Sequence, residues 1–139
     1  MVILDTNVIS ELMDSQPDAA VIQWLDRQSW SSLWTTSITI LEVRYGLTIM
    51  VGGRRRTQRE AAFARLIAEN FEGRVIQFDH AAAEETALLM AARHRIGRRG
   101  DLRDNMIAGI ALAQRATLAT RNVRHFDDLT VPVVNPWHA

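Results

Sequence analysis

The sequence predicts an α/β fold in which a mostly parallel β-sheet is covered by helices on both faces. Strand-like runs alternate with helical patterns along the chain, which is the arrangement that produces such sheets. The first strand, Val2–Leu4, is apolar throughout, as expected of a central strand that is buried on both faces. The chain has 139 residues, enough to bury one sizeable core, so we expect a single domain over residues 1–139.

Five short runs have the pattern of β-strands, and apolar periodicity or Ala/Leu richness predicts six helices between them. The predicted strands are Val2–Leu4, Leu33–Thr36, Val75–Phe78, Thr117–Thr120 and Val131–Val134. The predicted helices are Val8–Met13, Ala19–Arg27, Ile38–Met50, Thr57–Phe71, Ala81–Ile96 and Asp104–Ala116. Two segments rich in Gly and Arg, Gly52–Arg56 and Gly97–Arg103, are predicted to be loops or frayed helix ends.

The composition excludes several classes of chemistry. There is no cysteine, which rules out disulfides, thiolate metal sites and cysteine nucleophiles and fits a reducing compartment. All 16 basic side chains are arginine, so a P-loop lysine and a lysine Schiff base are also excluded. We find no signal-peptide pattern and no apolar run of membrane-spanning length, and we therefore expect a cytoplasmic protein without a membrane partner.

Polar side chains follow the predicted strands at one edge of the sheet, where parallel α/β folds place their sites. Asp5 ends the first strand, Glu42 lies early in the helix after the second, and Asp104 opens the helix before the fourth. Thr120 and Asn122 lie at the end of that fourth strand. If strands one and four are neighbours, these groups converge.

Each carboxylate also has a structural interpretation. Asp5 suits the N-cap of the next helix, Thr39 and Glu42 match a capping box, and Asp101 with Asp104 suits a capped first turn. For any one of these residues alone, a structural role is more common than a role in a functional site. Taken together, three carboxylates at one sheet edge repel each other and resist desolvation, and a divalent cation relieves both effects.

The donor types favour a hard cation. Oxygen ligands suit Mg²⁺ or Mn²⁺, and the four histidines show no metal-ligand spacing. Of these, His125 is the one near the end of strand four, whereas His80, His94 and His138 are expected to be ordinary polar residues.

Three segments in order, "LDTNVISEL", "LEVRYGL" and "DNMIAGIALAQRATLATRNVRHF", resemble PIN-domain proteins, and more closely the toxins of VapBC toxin–antitoxin pairs and their FitB-like relatives. The resemblance covers residues 1 to about 135. It implies a five-stranded parallel sheet sandwiched between helices and a metal-dependent endoribonuclease. It also implies a cognate antitoxin, DNA binding only through that antitoxin, and a homodimer.

The resemblance implies metal ligands at Asp5, Glu42 and Asp104, with Thr6, Asn7 and Thr120 in supporting positions. Many members of the family carry further carboxylates after strand four, where this chain has Asn122 and His125. Asn122 is therefore a candidate neutral ligand, and a second metal site is in doubt.

The predicted reaction is hydrolysis of RNA phosphodiester bonds by water that Mg²⁺ or Mn²⁺ activates and the three carboxylates hold in place. Two arginine clusters are candidates for contact with the RNA backbone, with solvated helix faces as the alternative. The first cluster is Arg54, Arg55 and Arg56 with Arg59, and the second is Arg93, Arg95, Arg98, Arg99 and Arg103.

Two other functions compete with the nuclease. A catalytically weak interaction module would bind operator DNA only through its antitoxin, and the absent fourth carboxylate favours that alternative. A phosphoaspartate enzyme fits less well, because the residue two positions after Asp5 is Asn7 rather than a second acid, and the chain has no lysine to stabilise a phosphoaspartate.

Overall fold

In a computed structural model of the chain, which describes residues 1–139, five strands form one parallel sheet in the order β3-β2-β1-β4-β5. The strands are β1 (Val2–Leu4), β2 (Leu33–Thr36), β3 (Val75–Ile76), β4 (Thr117–Ala119) and β5 (Val133–Val134). Both the parallel α/β class and the central position of the first strand are thus confirmed.

Six α-helices connect the strands and cover both faces of the sheet. They are α1 (Thr6–Leu12), α2 (Ala19–Asp26), α3 (Ser37–Ile49), α4 (Arg54–Arg65), α5 (His80–Arg95) and α6 (Leu102–Gln114). A π-helical turn, Leu66–Asn70, continues α4, and two 3₁₀ turns occupy Trp30–Ser32 and Val123–Phe126. None of the helices combines the length and the hydropathy that a membrane crossing requires.

The side chains of β1 alternate between two apolar clusters, one on each face of the sheet. Leu4 packs in a cluster with residues of α1, α2 and α4, such as Val8 and Phe63. Ile3 packs in the other cluster with residues of α5 and α6, such as Leu89 and Ile107. Burial on both faces explains why β1 carries no polar residue until Asp5.

The helices α5 and α6 pack closely because Gly109 removes a side chain from their interface. A Cβ atom at Gly109 would overlap the Thr86 hydroxyl and approach the carbonyl oxygen of Ala82. Thr86 instead donates its hydroxyl proton to that carbonyl at 2.7 Å. This contact fixes α6, and with it the first turn that carries Asp104, against α5.

Several predicted boundaries are wrong. The segment Gly52–Arg56 is not all loop, because α4 begins at Arg54, where the N–H of Thr57 donates to Gly53 and Arg56 pairs with Glu60 at 2.6 Å. Likewise, α6 begins at Leu102 rather than at Asp104, because the Asp101 side chain caps it by accepting a hydrogen bond from the N–H of Arg103.

The ends of two strands also differ from prediction. The strand β3 ends at Ile76 because the N–H of Phe78 donates to the Ser37 hydroxyl instead of a strand partner. The strand β5 begins after Pro132, which has no N–H to offer a neighbouring strand. The predicted capping box at Thr39 is wrong as well, because Thr36 caps α3 and Thr39 donates its N–H to that cap.

Candidate functional site

Asp5 lies where β1 meets β4 and α1. Its N–H donates to the carbonyl of Ala119 at 2.9 Å, which extends the β1–β4 ladder to the carboxyl edge of the sheet. Its side chain is only 3% exposed and caps α1 by accepting from the N–H of Thr6 at 2.8 Å. The second carboxylate oxygen accepts from the Thr120 hydroxyl at 2.7 Å. Asp5 is therefore both a helix cap and a buried carboxylate at the sheet edge.

The surroundings of Asp5 favour its neutral form. The pKa of Asp5 is raised to about 6, and burial is the largest cause. Hydrogen bonds from Thr120 and Thr6 act against this rise, and the carboxylates of Asp104 and Glu42 add to it. These causes require all three carboxylates to be near enough to interact electrostatically. Asp5 thus lies within electrostatic range of both Asp104 and Glu42.

Glu42 is held by a chain of threonine hydroxyls at the start of α3. Its Oε1 accepts from the Thr6 hydroxyl at 2.8 Å, and Thr6 in turn lies 3.1 Å from the Thr39 hydroxyl. Thr39 hydrogen-bonds to Thr36, which ends β2. Helical spacing groups Glu42 with Ile38, Leu41 and Tyr45 and so predicts an inward face. Ile38 is buried, but Leu41 and Tyr45 are exposed, so that prediction is wrong for these two residues.

Asp104 lies in the first turn of α6 and faces His125. Its Oδ2 is 3.3 Å from Nδ1 of His125, which reaches it from the 3₁₀ turn after β4. Burial raises the pKa of Asp104, the nearby Asp101 raises it further, and His125 lowers it. The histidine thus occupies the side of Asp104 that faces the end of β4.

Thr120 is the centre of the hydrogen bonds at the end of β4. Its hydroxyl donates to Asp5 and accepts from the N–H of Asn122 at 3.1 Å and from the side chain of Asn7 at 3.3 Å. Asn7 also accepts from the N–H of Arg121 at 3.1 Å. The Asn122 side chain is exposed and makes no hydrogen bond, so it is free to turn toward the site or away from it.

The three carboxylates have the right ligand atoms for a hard divalent cation, but in this structure they are not arranged around a common point. Asp5, Glu42 and Asp104 offer only oxygen atoms, which Mg²⁺ and Mn²⁺ prefer. Each carboxylate is engaged instead with a protein group, namely Thr120, Thr6 and His125 respectively. No three His, Asp or Glu side chains are close enough together to hold an ion as they stand. Rotation of the exposed parts of Glu42 and Asp104 is therefore needed for joint coordination.

A family model described as the PIN domain matches residues 2–131. The chain belongs to the PIN-domain family. Relatives that match almost end to end include VapC ribonuclease Y4jK of Sinorhizobium fredii, 38% identical over 99% of this chain and 98% of that one. Toxin FitB of Neisseria gonorrhoeae is 33% identical, with 99% of both chains covered.

Among solved structures, the one described as FitAB bound to an IR36 DNA fragment superposes on this PIN domain with a TM-score of 0.89. The two chains are 32% identical, and the match covers 100% of this chain and 97% of the other. The resemblance to VapC- and FitB-type toxins inferred from the three sequence segments is therefore confirmed.

The arginines predicted to contact RNA have different surroundings in this PIN domain. Arg103 lies at the site, 3.9 Å from Glu42 and 3.5 Å from Asp101. Arg99 lines a small pocket that Asp104 also lines, and Arg55 lines a groove that reaches Glu42. Arg54 is exposed and makes no hydrogen bond or ion pair. Three others have partners within the fold: Arg56 pairs with Glu60, Arg98 pairs with Asp127 at 2.7 Å, and Arg59 donates to the Ser10 hydroxyl at 3.1 Å. Arg95 is exposed.

Arg93 is buried, although the sequence pattern grouped it with candidate RNA contacts. It is 3% exposed and donates two hydrogen bonds to Asp128, at 2.9 and 2.7 Å. It also donates to Asn105 and to the carbonyl of His125, both at 2.7 Å. These bonds tie the turn after β4 to α5 and α6, and so hold His125 beside Asp104.

One sequence signal could have identified Arg93 as buried. It falls on the same face of α5 as Ala82, Thr86 and Leu89, at spacings of four, three and four residues along the helix. No comparable signal exists for its partner Asp128, which lies in a loop whose register against α5 depends on tertiary packing.

Proposed function

We propose that this PIN domain is a metal-dependent endoribonuclease that hydrolyses RNA phosphodiester bonds. The observation that carries the proposal is the buried carboxylate of Asp5, whose pKa is raised to about 6 at a sheet edge it shares with Glu42 and Asp104. Perturbed carboxylates grouped at the carboxyl ends of parallel strands are typical of catalytic sites. The relative named VapC ribonuclease supports the same activity.

On this proposal Asp5, Glu42 and Asp104 hold Mg²⁺ or Mn²⁺. The bound cation supplies Lewis acidity, which activates water as a nucleophile and offsets negative charge developing on the phosphate and leaving oxygen. Thr120 and Thr6 orient the carboxylates of Asp5 and Glu42 by donating hydrogen bonds to them.

The chain's own part in the reaction is mainly positioning. Asp5 is fixed by the β1–β4 ladder and by the cap of α1, so its carboxylate does not have to be ordered when substrate binds. Asn7 joins Asp5 to Thr120 from the first turn of α1. Arg103 brings a positive charge to the mouth of the site, where it suits a phosphate oxygen.

We further propose that the enzyme is the toxin of a toxin–antitoxin pair and assembles as a homodimer. The FitB relative and the FitAB–DNA structure support an antitoxin partner, with DNA bound through that partner. A groove of about 660 Å³ between α1 and α3 suits a segment of such a partner, because its floor is apolar at Val43 and Leu47 while Glu42 and Arg59 line its walls. A segment in this groove would reach Glu42 and block access to the carboxylates.

A second candidate function is a catalytically weak interaction module that acts on operator DNA only through the antitoxin. The observation that favours it is the absence of a carboxylate at Asn122 and His125, together with the engagement of Asp104 by His125. The two candidates differ in one measurable property, which is cleavage of RNA by the isolated chain.

The deciding experiment uses Asp104→Asn, which keeps the shape of the side chain and removes one charge from the site. Purified protein without antitoxin is incubated with total RNA in Mg²⁺, in Mn²⁺ and in EDTA. We expect metal-dependent cleavage by the wild type and a loss of orders of magnitude in the variant, with unfolding stability equal or higher because carboxylate repulsion is relieved.

The matched control is Asp26→Asn, the same change at an exposed residue that makes no hydrogen bond or ion pair. It should cleave like the wild type. Cleavage by Asp104→Asn at the wild-type rate would overturn the site assignment, and a wild type without activity in either metal would favour the interaction module.

A further inference from the structure

A polar pocket of about 260 Å³ lies next to Asp104 and shares no lining residue with the groove between α1 and α3. No apolar side chain lines it. Its basic residues come from the end of α5, from the α5–α6 connection and from the 3₁₀ turn after β4. Asp101 also lines it, and Asp104 and His125 form its border with the candidate site. A partner protein normally buries apolar surface in its contacts, and this pocket offers none. Its lining is therefore better suited to a small, strongly hydrated anionic group.

The four arginines of this pocket divide into two that have partners and two that have none. Arg93 is bound to Asp128 and Asn105, and Arg98 is bound to Asp127 and to the carbonyl of Arg124. The guanidinium groups of Arg99 and Arg124 are exposed and make no hydrogen bond, ion pair or aromatic contact. Two arginines thus support the pocket, while the other two are free to bind a ligand.

Arg98, which has partners, also fixes the positions of the two arginines that have none, Arg99 and Arg124. Arg98 donates to the backbone of Arg124 at 2.7 Å, which anchors the backbone that carries the Arg124 side chain. Arg98 is itself the neighbour of Arg99 in the sequence. The single contact therefore brings the two unpartnered guanidinium groups to the same pocket from separate segments.

We propose that Arg99 and Arg124 bind one phosphate group of the RNA strand, adjacent to the phosphate that is cleaved at the carboxylates. The inference rests on the proposed nuclease function and adds a subsite to it. Guanidinium groups match phosphate oxygens with paired hydrogen bonds, and a phosphate here would lie beside Asp104, which also lines the pocket. Arg98, which the sequence pattern assigned to RNA, is on this account a positioning residue for Arg124.

The test measures RNA binding without cleavage. A fluorescein-labelled oligouridylate of twelve nucleotides is titrated in EDTA, by anisotropy, at several salt concentrations. For the double variant Arg99→Gln/Arg124→Gln we expect about tenfold weaker binding and a salt slope smaller by roughly 0.7, the value for one lost phosphate contact on a single strand. Its melting temperature should match that of the wild type, because neither side chain has a partner to lose.

The control is Arg115→Asn, which removes one positive charge at the C-cap of α6, at the opposite edge of the sheet. Arg115 adopts φ 51°, a left-handed conformation that Asn tolerates, so the substitution removes the charge without adding strain. It should bind the oligonucleotide with the wild-type slope. If Arg115→Asn lowered the salt slope of RNA binding by the same amount, the arginines would act only through general electrostatic attraction to RNA, and the subsite would be overturned.

Failure of the subsite and failure of the nuclease proposal give different results. If the wild type binds and cleaves RNA and the double variant does both equally well, only the subsite is wrong. If the wild type neither binds nor cleaves RNA, both proposals fail. If the double variant keeps RNA binding but loses its antitoxin, the pocket serves an acidic segment of the partner and the phosphate assignment is overturned.

Discussion

The Thr120 hydroxyl donates a hydrogen bond of 2.7 Å to Oδ2 of Asp5 and so joins the end of β4 to the end of β1. Among the influences that lower the pKa of Asp5, this bond is the largest, whereas burial is the largest that raises it. Thr120 therefore helps to keep the Asp5 carboxylate ionised, which is the form that binds a cation.

Replacing Thr120 by Val should lower stability in a pH-dependent way. A hydrogen bond to a charged group contributes about 2 kcal/mol, and one to a neutral group about 1 kcal/mol. We therefore expect Thr120→Val to lower the free energy of unfolding by ~2 kcal/mol at pH 8. The loss should be smaller at pH 5, where Asp5 is mostly protonated. Urea unfolding in EDTA at both pH values measures the difference.

The control for that prediction is Thr117→Val, on the same strand. The Thr117 side chain is half-buried and makes no hydrogen bond, so its replacement should change stability little at either pH. A Thr120 variant that behaved like the Thr117 variant would show that the hydroxyl contributes nothing to Asp5.

Without a cation, Asp5 should make the protein less stable as the pH rises. The pKa of Asp5 is about 6 in the folded chain, above the 3.8 of the free side chain, so the folded state binds the proton more tightly. Its contribution to stability is fully present below pH 3.8 and is lost as the pH passes 6. The difference of about 2 pKa units corresponds to ~3 kcal/mol.

This second prediction is checked by unfolding the metal-free protein between pH 4 and pH 8. Asp5→Asn, which does not titrate, should remove this part of the pH dependence. Added Mg²⁺ should stabilise the wild type most at high pH, where the carboxylate is charged, and Asp5→Asn much less. A stability profile that is the same in both proteins would mean that Asp5 titrates normally.

The architecture follows from the sequence because it depends on local pattern. The uninterrupted apolar run of β1 predicts a central strand, and Asp5 directly after it marks the carboxyl edge. The helix caps are harder to predict, because Thr36 and Thr39 both lie near the start of α3 and only the backbone path at the end of β2 selects Thr36 as the cap. The sequence therefore predicts the sheet edge at which Asp5 and Thr120 meet, but not each hydrogen bond between the side chains there.

The role of Arg93 depends on packing that no local pattern contains. Its partner Asp128 is 35 residues away, and its third partner, the carbonyl of His125, is a backbone group with no signature in the sequence. Arginines that look alike in a basic run, such as Arg93 and Arg99, are thus separated only by tertiary contacts.

The pair of Arg93 and Asp128 should stabilise the protein more than a surface pair does. The hydrogen bonds from Arg93 lower the pKa of Asp128, so the pair contributes stability above about pH 4 that is lost as the pH falls through the folded pKa. We expect Asp128→Asn to lower the free energy of unfolding by ~2 kcal/mol at pH 7. Below pH 4 the stabilities of the variant and the wild type should become more similar.

The control for Asp128→Asn is the same change at the neighbouring residue Asp127, which pairs with Arg98 but whose side chain is 63% exposed. Asp127→Asn should cost less than ~1 kcal/mol, as is usual for exposed pairs. Urea titrations at pH 3.5 and pH 7 test both variants. Equal losses would mean that burial of Arg93 adds nothing to its ion pair.

Asn122→Asp should create a stronger cation site. The Asn122 side chain makes no hydrogen bond, while the backbone N–H of Asn122 donates to the hydroxyl of Thr120, the residue that holds Asp5. An amide oxygen ligates Mg²⁺ without contributing charge, so the wild type should bind one ion tightly and a second only at high concentration or with Mn²⁺. The added carboxylate should tighten binding about tenfold, equivalent to ~1.4 kcal/mol, and lower metal-free stability through repulsion of Asp5.

Calorimetric titration with Mg²⁺ and with Mn²⁺ measures this effect on wild type and variant. Asn70→Asp serves as control, because it adds the same charge at an exposed position before β3, at the amino edge of the sheet. That variant should bind metal like the wild type. If Asn122→Asp also does so, the Asn122 side chain points away from the carboxylates, and the end of β4 supports the site only through Thr120.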